Sequence, residues 1–510
     1  MLGPLAILAV QATGRLFASP RELAVLAVPW GRRLGLLLRG LGLAAGVSAS
    51  ALVLGVPAAI FLSSRAARSR RAARWLLLSM FVVPPYIHAL AWLAAVRPAN
   101  ALLGLAGLAP LPSYGWPACW WAETMAFAPV VLGLALLGME RVDPGLVEAA
   151  RLSGPDARVL GRVILPLARP YILAGGAFVF LLSLAESGVP MLFHVNIYPF
   201  EILAEFSASA EPVRALFLSA PLLILAAIVL TLSLRPLRLA ALSGGAGGPW
   251  RGRAPAYPVG LAICATAAVG CLMTHLGALF AALFVRTGGP AAFVSGLRLS
   301  GEEILLTLWT SAAAAAAAAC LAVLTAGRLV GKAPRNGFLW IAVAAALAVP
   351  APLTGTGLAA LAGAPAFAFL REGGAAVVLV SIARFAPFAV LILAAHLRRV
   401  DRTLLEAARV FEKNLLRSRL RIDGRLAAPG VLAAAAIVFS LSAGETAATL
   451  VVAPPGRETL ALKIFSYLHY GAVESVAGLC LFLAGTTLAF GLLCARVLRT
   501  RPPAPEGRME

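Results

Sequence analysis

The sequence predicts an all-α integral membrane protein: two tandem repeats of about six transmembrane helices, with 11 to 12 spans in all. Three observations lead there: an apolar composition, basic loops alternating with apolar runs, and a polar loop that occurs twice. Hydrophobic residues make up 61% of the 510 residues and charged residues 13%, with a mean hydropathy of +0.90, whereas soluble domains carry about 25% charge. The formal net charge of +21 comes from arginines in short clusters between apolar runs, not from one basic domain. That distribution argues against a nucleic-acid partner and for cytoplasmic loops lying beside membrane lipid.

A bilayer core of about 30 Å requires about 20 apolar residues in a helix. Runs that meet this are 41–62, 75–96, 122–139, 171–192, 213–235, 257–285, 304–330, 338–363, 375–396, 430–453 and 473–498. The segment SSRAARSRRAAR at 63–74 carries five arginines, whereas 193–212 carries no Lys or Arg. The first is therefore cytoplasmic and the second external. Alternation then places 140–170, 236–256, 331–337, 397–429 and the tail from 499 inside, and all of them carry Arg or Lys. The N-terminal MLGPLAILAVQATG has no basic residues ahead of its apolar run, so no cleaved signal is expected. The six cysteines show no ligand spacing and read as small apolar fillers.

The repeated loop is VDPGLVEAAR at 142–151 and VDRTLLEAAR at 400–409, identical at seven of ten positions. One residue of register later, PYILAGGAFVFLLSLAE (170–186) matches PGVLAAAAIVFSLSAGE (429–445) at nine of seventeen. Asp143 and Asp401 are placed to cap a helix, with Pro144 at its first position. Gly154 and Pro155 should end that helix and start another, and Pro166 should end the second. The division expected is 1–235 for the first repeat, 236–256 for a flexible cytoplasmic linker containing GGAGGPWRGR, 257–498 for the second repeat and 499–510 for a cytoplasmic tail. HLGALFAALF at 275–284 resembles MLGPLAILAV at 1–10, so the first repeat is expected to begin near the end of its own first helix, through truncation or a start assigned downstream of the true one.

The first loop resembles the EAA motif of ABC importer permease subunits through Glu148, Ala149, Ala150, Gly154 and Val163-Ile164-Leu165-Pro166, with one residue fewer after the glycine. In the second loop Glu406, Ala407, Ala408 and Ile422 are in frame, but Glu412 replaces the glycine and Gly424-Arg425 replaces Leu-Pro. The chain is similar over nearly its whole length to fused tandem permeases of ferric-iron and thiamine uptake. The stretch ATLVVAPPGRETLALKIFSYLHYG (448–471) looks like the iron branch. The resemblance implies a type I importer fold in a bacterial inner membrane. It also implies two copies of an ABC ATPase carrying ATP and Mg, an extracytoplasmic solute-binding protein, and coupling through Glu148, Ala149, Ala150, Gly154, Pro166, Glu406, Ala407 and Ala408. Thiamine, phosphonate and polyamine are alternative cargoes of the same machinery.

No cofactor site or catalytic centre is expected in this chain. GRLVGKA at 327–333 fails the GxxxxGK[ST] phosphate loop, there is no HExxH, and the five histidines are scattered. Ionisable groups within spans point to function by default. Glu186 and Glu445 fall at matching places near the external ends of matching helices. Two roles fit them: oxygen ligands on the path of a hard cation such as ferric iron, or caps on a neighbouring broken helix. Tyr86 and His88 follow Pro84-Pro85 and are candidates for lining the path, while Pro84-Pro85 and Pro350 with Pro352 read as kinks. A gradient-driven secondary carrier and a membrane scaffold are the readings of other classes; the first leaves the paired loops unexplained.

Overall fold

The computed structural model describes residues 3–18, 20–63, 68–209, 211–243, 258–330, 336–371, 374–398, 400, 424–454, 456–470 and 473–498. The described residues are helical and include no strand. In the N-terminal half these are α1 (Gly3–Ala18), α2 (Pro20–Ala27), α3 (Arg32–Ser63), α4 (Arg68–Ser79), α5 (Pro85–Leu105), α6 (Trp116–Glu140), α7 (Pro144–Leu152), α8 (Asp156–Val159), α9 (Leu165–Ala185), α10 (Gly188–Leu192), α11 (Pro199–Ser209), α12 (Pro212–Leu218) and α13 (Ala220–Ser243). The C-terminal half has α14 (Val259–Arg286), α15 (Pro290–Leu299), α16 (Gly301–Val330), α17 (Asn336–Ala348), α18 (Ala351–Gly363), α19 (Ala375–Leu397), α20 (Gly424–Ala443), α21 (Thr449–Val452), α22 (Leu460–Tyr470) and α23 (Val473–Leu498). Among the described residues eight helical stretches are long and apolar enough to cross a membrane, and eleven if each of three bent pairs counts as one span.

Each half is built on a packed trio, α3 with α6 and α9, and α16 with α19 and α20. Close approach within a trio depends on small residues. A Cβ on Gly55 of α3 would lie 2.8 Å from the Val131 side chain and 2.9 Å from the Leu132 amide nitrogen of α6. The two halves then interlock. α14 packs on α3 and α5 of the N-terminal half, while α1 packs on α18 of the C-terminal half, where Gly357 lets the Pro4 carbonyl approach to 2.6 Å of a would-be Cβ. Ala268, Val269, Leu272 and Leu276 of α14 thereby join the apolar core of the N-terminal trio.

Three spans are broken or bent, two of them at the prolines that the sequence marks as kinks. The run 75–96 is broken between α4 and α5, whose segments turn by 103°, and 338–363 is broken between α17 and α18 by 102°. Pro84 and Pro350 are the extended residues before α5 and α18, with Pro85 opening α5. A proline at such a site removes an N–H and keeps its predecessor out of helical geometry, so the ladder stops instead of merely bending. The run 213–235 bends by 50° between α12 and α13. The runs 171–192 and 430–453 end early, at Ala185 and Ala443, each followed by a short separate helix.

Pro166 also departs from expectation: it does not end a helix. The helical stretch runs from Asp156 to Ala185, and Leu160–Ile164 form a π-turn in which the Leu165 N–H donates to the Leu160 carbonyl five residues back. The wider turn accommodates the ring and the missing N–H that would otherwise disrupt an α-helix. The linker core at 244–257, residues 64–67 of the basic segment and the tail from 499 lie outside the described residues.

Ion pairs fasten the ends of the helices. The Arg74 guanidinium of α4 grips both oxygens of Glu140 at the end of α6. At the opposite ends of the trio helices, Arg32 pairs with Glu201 at 2.7 Å, tying α3 to α11, and Glu303 pairs with Lys463 at 2.7 Å, tying α16 to α22. The trio packing gives a direct test. Gly55→Ala should destabilise the purified protein by about 1–3 kcal/mol through overpacking. Gly270→Ala, where no atom lies within 4 Å, should instead stabilise helix α14 by about 0.5–1 kcal/mol. Thermal unfolding in detergent compares the two.

Candidate functional site

Two polar features stand out from the apolar body: the hairpin α7–α8 and a cavity between the broken helices. The hairpin starts where the Asp143 carboxylate accepts the Gly145 N–H at 2.8 Å, with Pro144 in the first turn of α7. α7 stops at Leu152, and Pro155 precedes α8. Arg151 donates to Asp156 at 2.9 Å and braces the elbow. Gly154 has no left-handed backbone; its small size leaves room for the Arg158 side chain, 3.2 Å from a would-be Cβ.

Val147 is the buried anchor of α7, set in the same core as Met139, Val142 and Val159. The rest of the helix faces outward. Leu146 is 54% and Leu152 91% exposed, Glu148 and Ala149 are exposed, and Ala150 is half-buried. Pro166 is exposed further along. Glu406, Ala407 and Ala408, together with Glu412 and Ile422, lie outside the described residues.

The cavity sits where both breaks face each other. Its lining includes Pro84, Pro85 and Tyr86 after the first break, Val349 and Ala351 at the second, Glu186 beyond α9 and Glu445 beyond α20, in a volume of about 150 Å³. The two carboxylates therefore share one cavity, and each also holds a following helix. Glu186 Oε1 accepts from the Gly188 N–H at 2.7 Å, and Glu445 Oε1 accepts from the Ala448 N–H at 2.9 Å. The capping role and the cavity-lining role coexist, since a carboxylate has two oxygens and several acceptor sites.

Tyr86 lines the cavity and its buried hydroxyl has no partner among the described residues. His88 does not line it. One residue pair further around α5 it turns away from the break, and its Nδ1 lies 3.0 Å from Nε2 of His275 in the α5–α14 seam, with the rings parallel.

Arg384 of α19 is a cavity residue that sequence reasoning missed. It forms an ion pair with Glu445, lies over the Phe385 ring at 5.1 Å, and is within electrostatic reach of Glu186. An arginine inside the apolar run 375–396 was a usable signal, but attention to residues matched between halves passes over it. Pro129 matches Pro387, which places Ala126 opposite Arg384. Glu123 was missed likewise. It is wholly buried beside Ser183, whose hydroxyl donates to it, and Ser381 and Ser442 occupy the matching positions. Among the described residues no three His, Cys, Asp or Glu side chains form a metal-binding group.

A chain whose described residues are all helical, with broken spans around a polar cavity and a polar hairpin beside them, has the form of a membrane permease. Curated proteins similar to it are permease subunits of ABC transporters. It is 36% identical over 69 residues, 13% of this chain and 24% of the relative, to a protein assigned as the 2-aminoethylphosphonate transport system permease protein PhnU in Salmonella typhimurium. Identity is 33% over 144 residues, 28% of this chain and 52% of the relative, to one assigned as a molybdenum ABC transporter permease protein in Haloferax volcanii. It is 26% over 187 residues, 36% of this chain and 65% of the relative, to the putrescine transport system permease protein PotI of Escherichia coli. The chain thus spans from about a quarter to just under two thirds of the length of these relatives. No family model matches it. Together with the helices, these likenesses make the chain a multi-pass protein of the inner membrane, related to ABC transporter permeases.

The Asp143 cap should set the local stability of the hairpin. Asp143→Ala is expected to cost about 1 kcal/mol of α7 stability, read as faster hydrogen exchange of amides 145–152 with exchange in α6 unchanged.

Proposed function

We propose that this chain is the membrane-spanning permease of an ATP-driven, binding-protein-dependent importer, organised as two tandem six-helix repeats. The observation that carries the proposal is α7: a capped, braced helix anchored by one buried valine, with Leu146, Glu148, Ala149 and Leu152 exposed on the cytoplasmic side. An apolar and acidic helical face of this kind suits a groove on a partner subunit. Two such loops, one per repeat, call for two copies of an ATPase. ATP and Mg belong to that partner, and an extracytoplasmic binding protein delivers the solute to the external helices.

The cargo we favour is a cation, ferric iron in the first place. Support comes from the two carboxylates on one cavity and from the iron-like stretch at 448–471. A polyamine is the alternative cation, in keeping with the putrescine relative. A phosphonate or a molybdenum oxyanion, in keeping with the other two relatives, is favoured by one observation only, the Arg384 guanidinium in the lining.

Native mass spectrometry of the chain, extracted gently from its own membrane, should show two copies of one ATPase per chain; an intact chain carrying none would overturn the importer reading. Leu152→Glu should reduce ATPase retention about tenfold or more, as loss of an interface anchor does, with the unfolding temperature of the exposed-site variant unchanged. For the cargo, Glu186→Gln with Glu445→Gln should abolish uptake of radiolabelled ferric iron in an intact complex. Retained uptake would remove the carboxylates from the path.

A further inference from the structure

Resting on the reading of the chain as a permease whose hairpin faces the cytoplasm, we propose that Phe388 is the barrier residue of the path: its ring meets Phe81 and Phe178 of the other half and closes the hairpin-side end of the cavity to charged solutes until the halves move apart.

The cavity has two unlike ends. Glu186, Glu445, Arg384 and the Tyr86 hydroxyl gather at one, and phenylalanine rings line the other. Helix direction orders them. α9 leads from the hairpin to Glu186, and Phe178 precedes that carboxylate by eight residues, about 12 Å back toward the hairpin. α19 runs antiparallel to α20, since Arg384 pairs with Glu445 just past the end of α20, whereas Gly430 near its start lies against His396. Phe388 is therefore one turn beyond Arg384, about 6 Å toward the start of α20. Phe81 comes before the break at Pro84, and Tyr86 after it. Three separate elements thus bring their rings to the same side of the polar groups.

These rings touch across the halves. The Phe388 centroid lies 5.9 Å from that of Phe178, 6.5 Å from Phe81 and 6.4 Å from Phe385, within the range of favourable aromatic pairs. Phe388 is the common member of the three pairs, and two of its partners belong to the N-terminal half. Rings that only filled a core would be enclosed. Phe81, Phe178 and Phe388 are instead each half-buried, and all three line the cavity. Such a layer offers a charged solute nothing in exchange for its water, and a constriction of hydrocarbon sheds water itself. Because the contact joins the two halves, separating them opens it. Phe178 stands on the helical stretch Asp156–Ala185 that begins at the hairpin, so a shift of that stretch also carries one ring of the seal.

The test is the accessibility of the cavity from each face of the membrane. In the full chain with its six native cysteines changed to alanine, Thr446→Cys places a thiol in the lining beside Glu445. A membrane-impermeant methanethiosulfonate carrying a trimethylammonium group is applied to everted vesicles, where it meets the hairpin face, or to spheroplasts, where it meets the opposite face. Phe388→Ala should raise the rate of modification in everted vesicles about tenfold or more and leave the rate in spheroplasts unchanged. Phe385→Ala, which spares both ring pairs across the halves, should stay within about threefold of the parent. An unchanged rate for Phe388→Ala in everted vesicles overturns the proposal. So does an equal rise from both faces, which a loosened fold would give, or a rise in Phe385→Ala as large as that in Phe388→Ala. If Phe388→Ala does not reach the membrane, Phe178→Ala decides alone: it must raise the rate in everted vesicles only, and an unchanged rate overturns the proposal. No arm needs an ATPase, so a chain without ATPases would refute the importer reading and leave this one standing, and unchanged rates in a chain with two ATPases would do the reverse.

Discussion

The constraint on which this structure depends is that a backbone amide or carbonyl inside a bilayer must find a partner within the protein. Unbroken helices meet it largely by themselves, and the trios α3–α6–α9 and α16–α19–α20 are built of them. The breaks at Pro84 and Pro350 violate it locally, so they are tolerated only away from lipid, and both open onto one interior cavity. The ends of α9 and α20 pose the same difficulty for the amides that start α10 and α21. Glu186 and Glu445 answer it by accepting those N–H groups. Polar side chains collect in the cavity because broken backbone requires them there, and that requirement is what makes the cavity chemically usable.

Interlocking of the halves follows from the same economy of surface. α14 from the other half packs along α5, with Leu279 and Leu283 entering a core shared with Ile87, Leu90 and Ala91. α1 stands against α18 in the corresponding way. The equivalence is one of packing rather than of chemistry. The ion pairs at the starts of α3 and α16 have opposite polarity, Arg32 on α3 with Glu201 on α11 against Glu303 on α16 with Lys463 on α22. Deep in the trios, Glu123 with Ser183 is answered by Ser381 with Ser442, and Ala126 by Arg384. Two halves with the same frame therefore enclose a cavity whose charge is unevenly divided.

Much of this was legible in the residues. Composition and loop charge located the spans, and the doubled polar loop located the α7 hairpin, its Asp143 cap and the elbow before Pro155. Matching the halves picked out Glu186 and Glu445, which do meet at one cavity. Hydropathy could not show that 75–96 and 338–363 turn by about a right angle, because apolar windows are blind to backbone direction. Nor could a proline rule foresee the π-turn that carries the helix past Pro166, since its effect depends on the width of the preceding turn. Arg384 was hidden for a different reason: a search for matched residues discards an asymmetric one, and here the asymmetry carries the charge balance of the site.

That π-turn has a mechanical consequence. Had the helix stopped at Pro166, the α7–α8 hairpin would hang from the helical body by a loop. Instead one helical stretch of 30 residues, Asp156–Ala185, extends about 45 Å at the usual rise per residue. Its first turn is braced to α7 by Arg151 and Asp156, and the residue directly after its last turn is Glu186. A displacement imposed on α7 therefore has a continuous rod to travel along, ending at a carboxylate of the cavity. Glu186 cannot shift without also moving the α10 amide it holds, or releasing that amide and freeing an oxygen. Position of the hairpin and availability of the carboxylate are in this way two ends of one rigid element, which is the kind of physical link that coupling between distant sites requires.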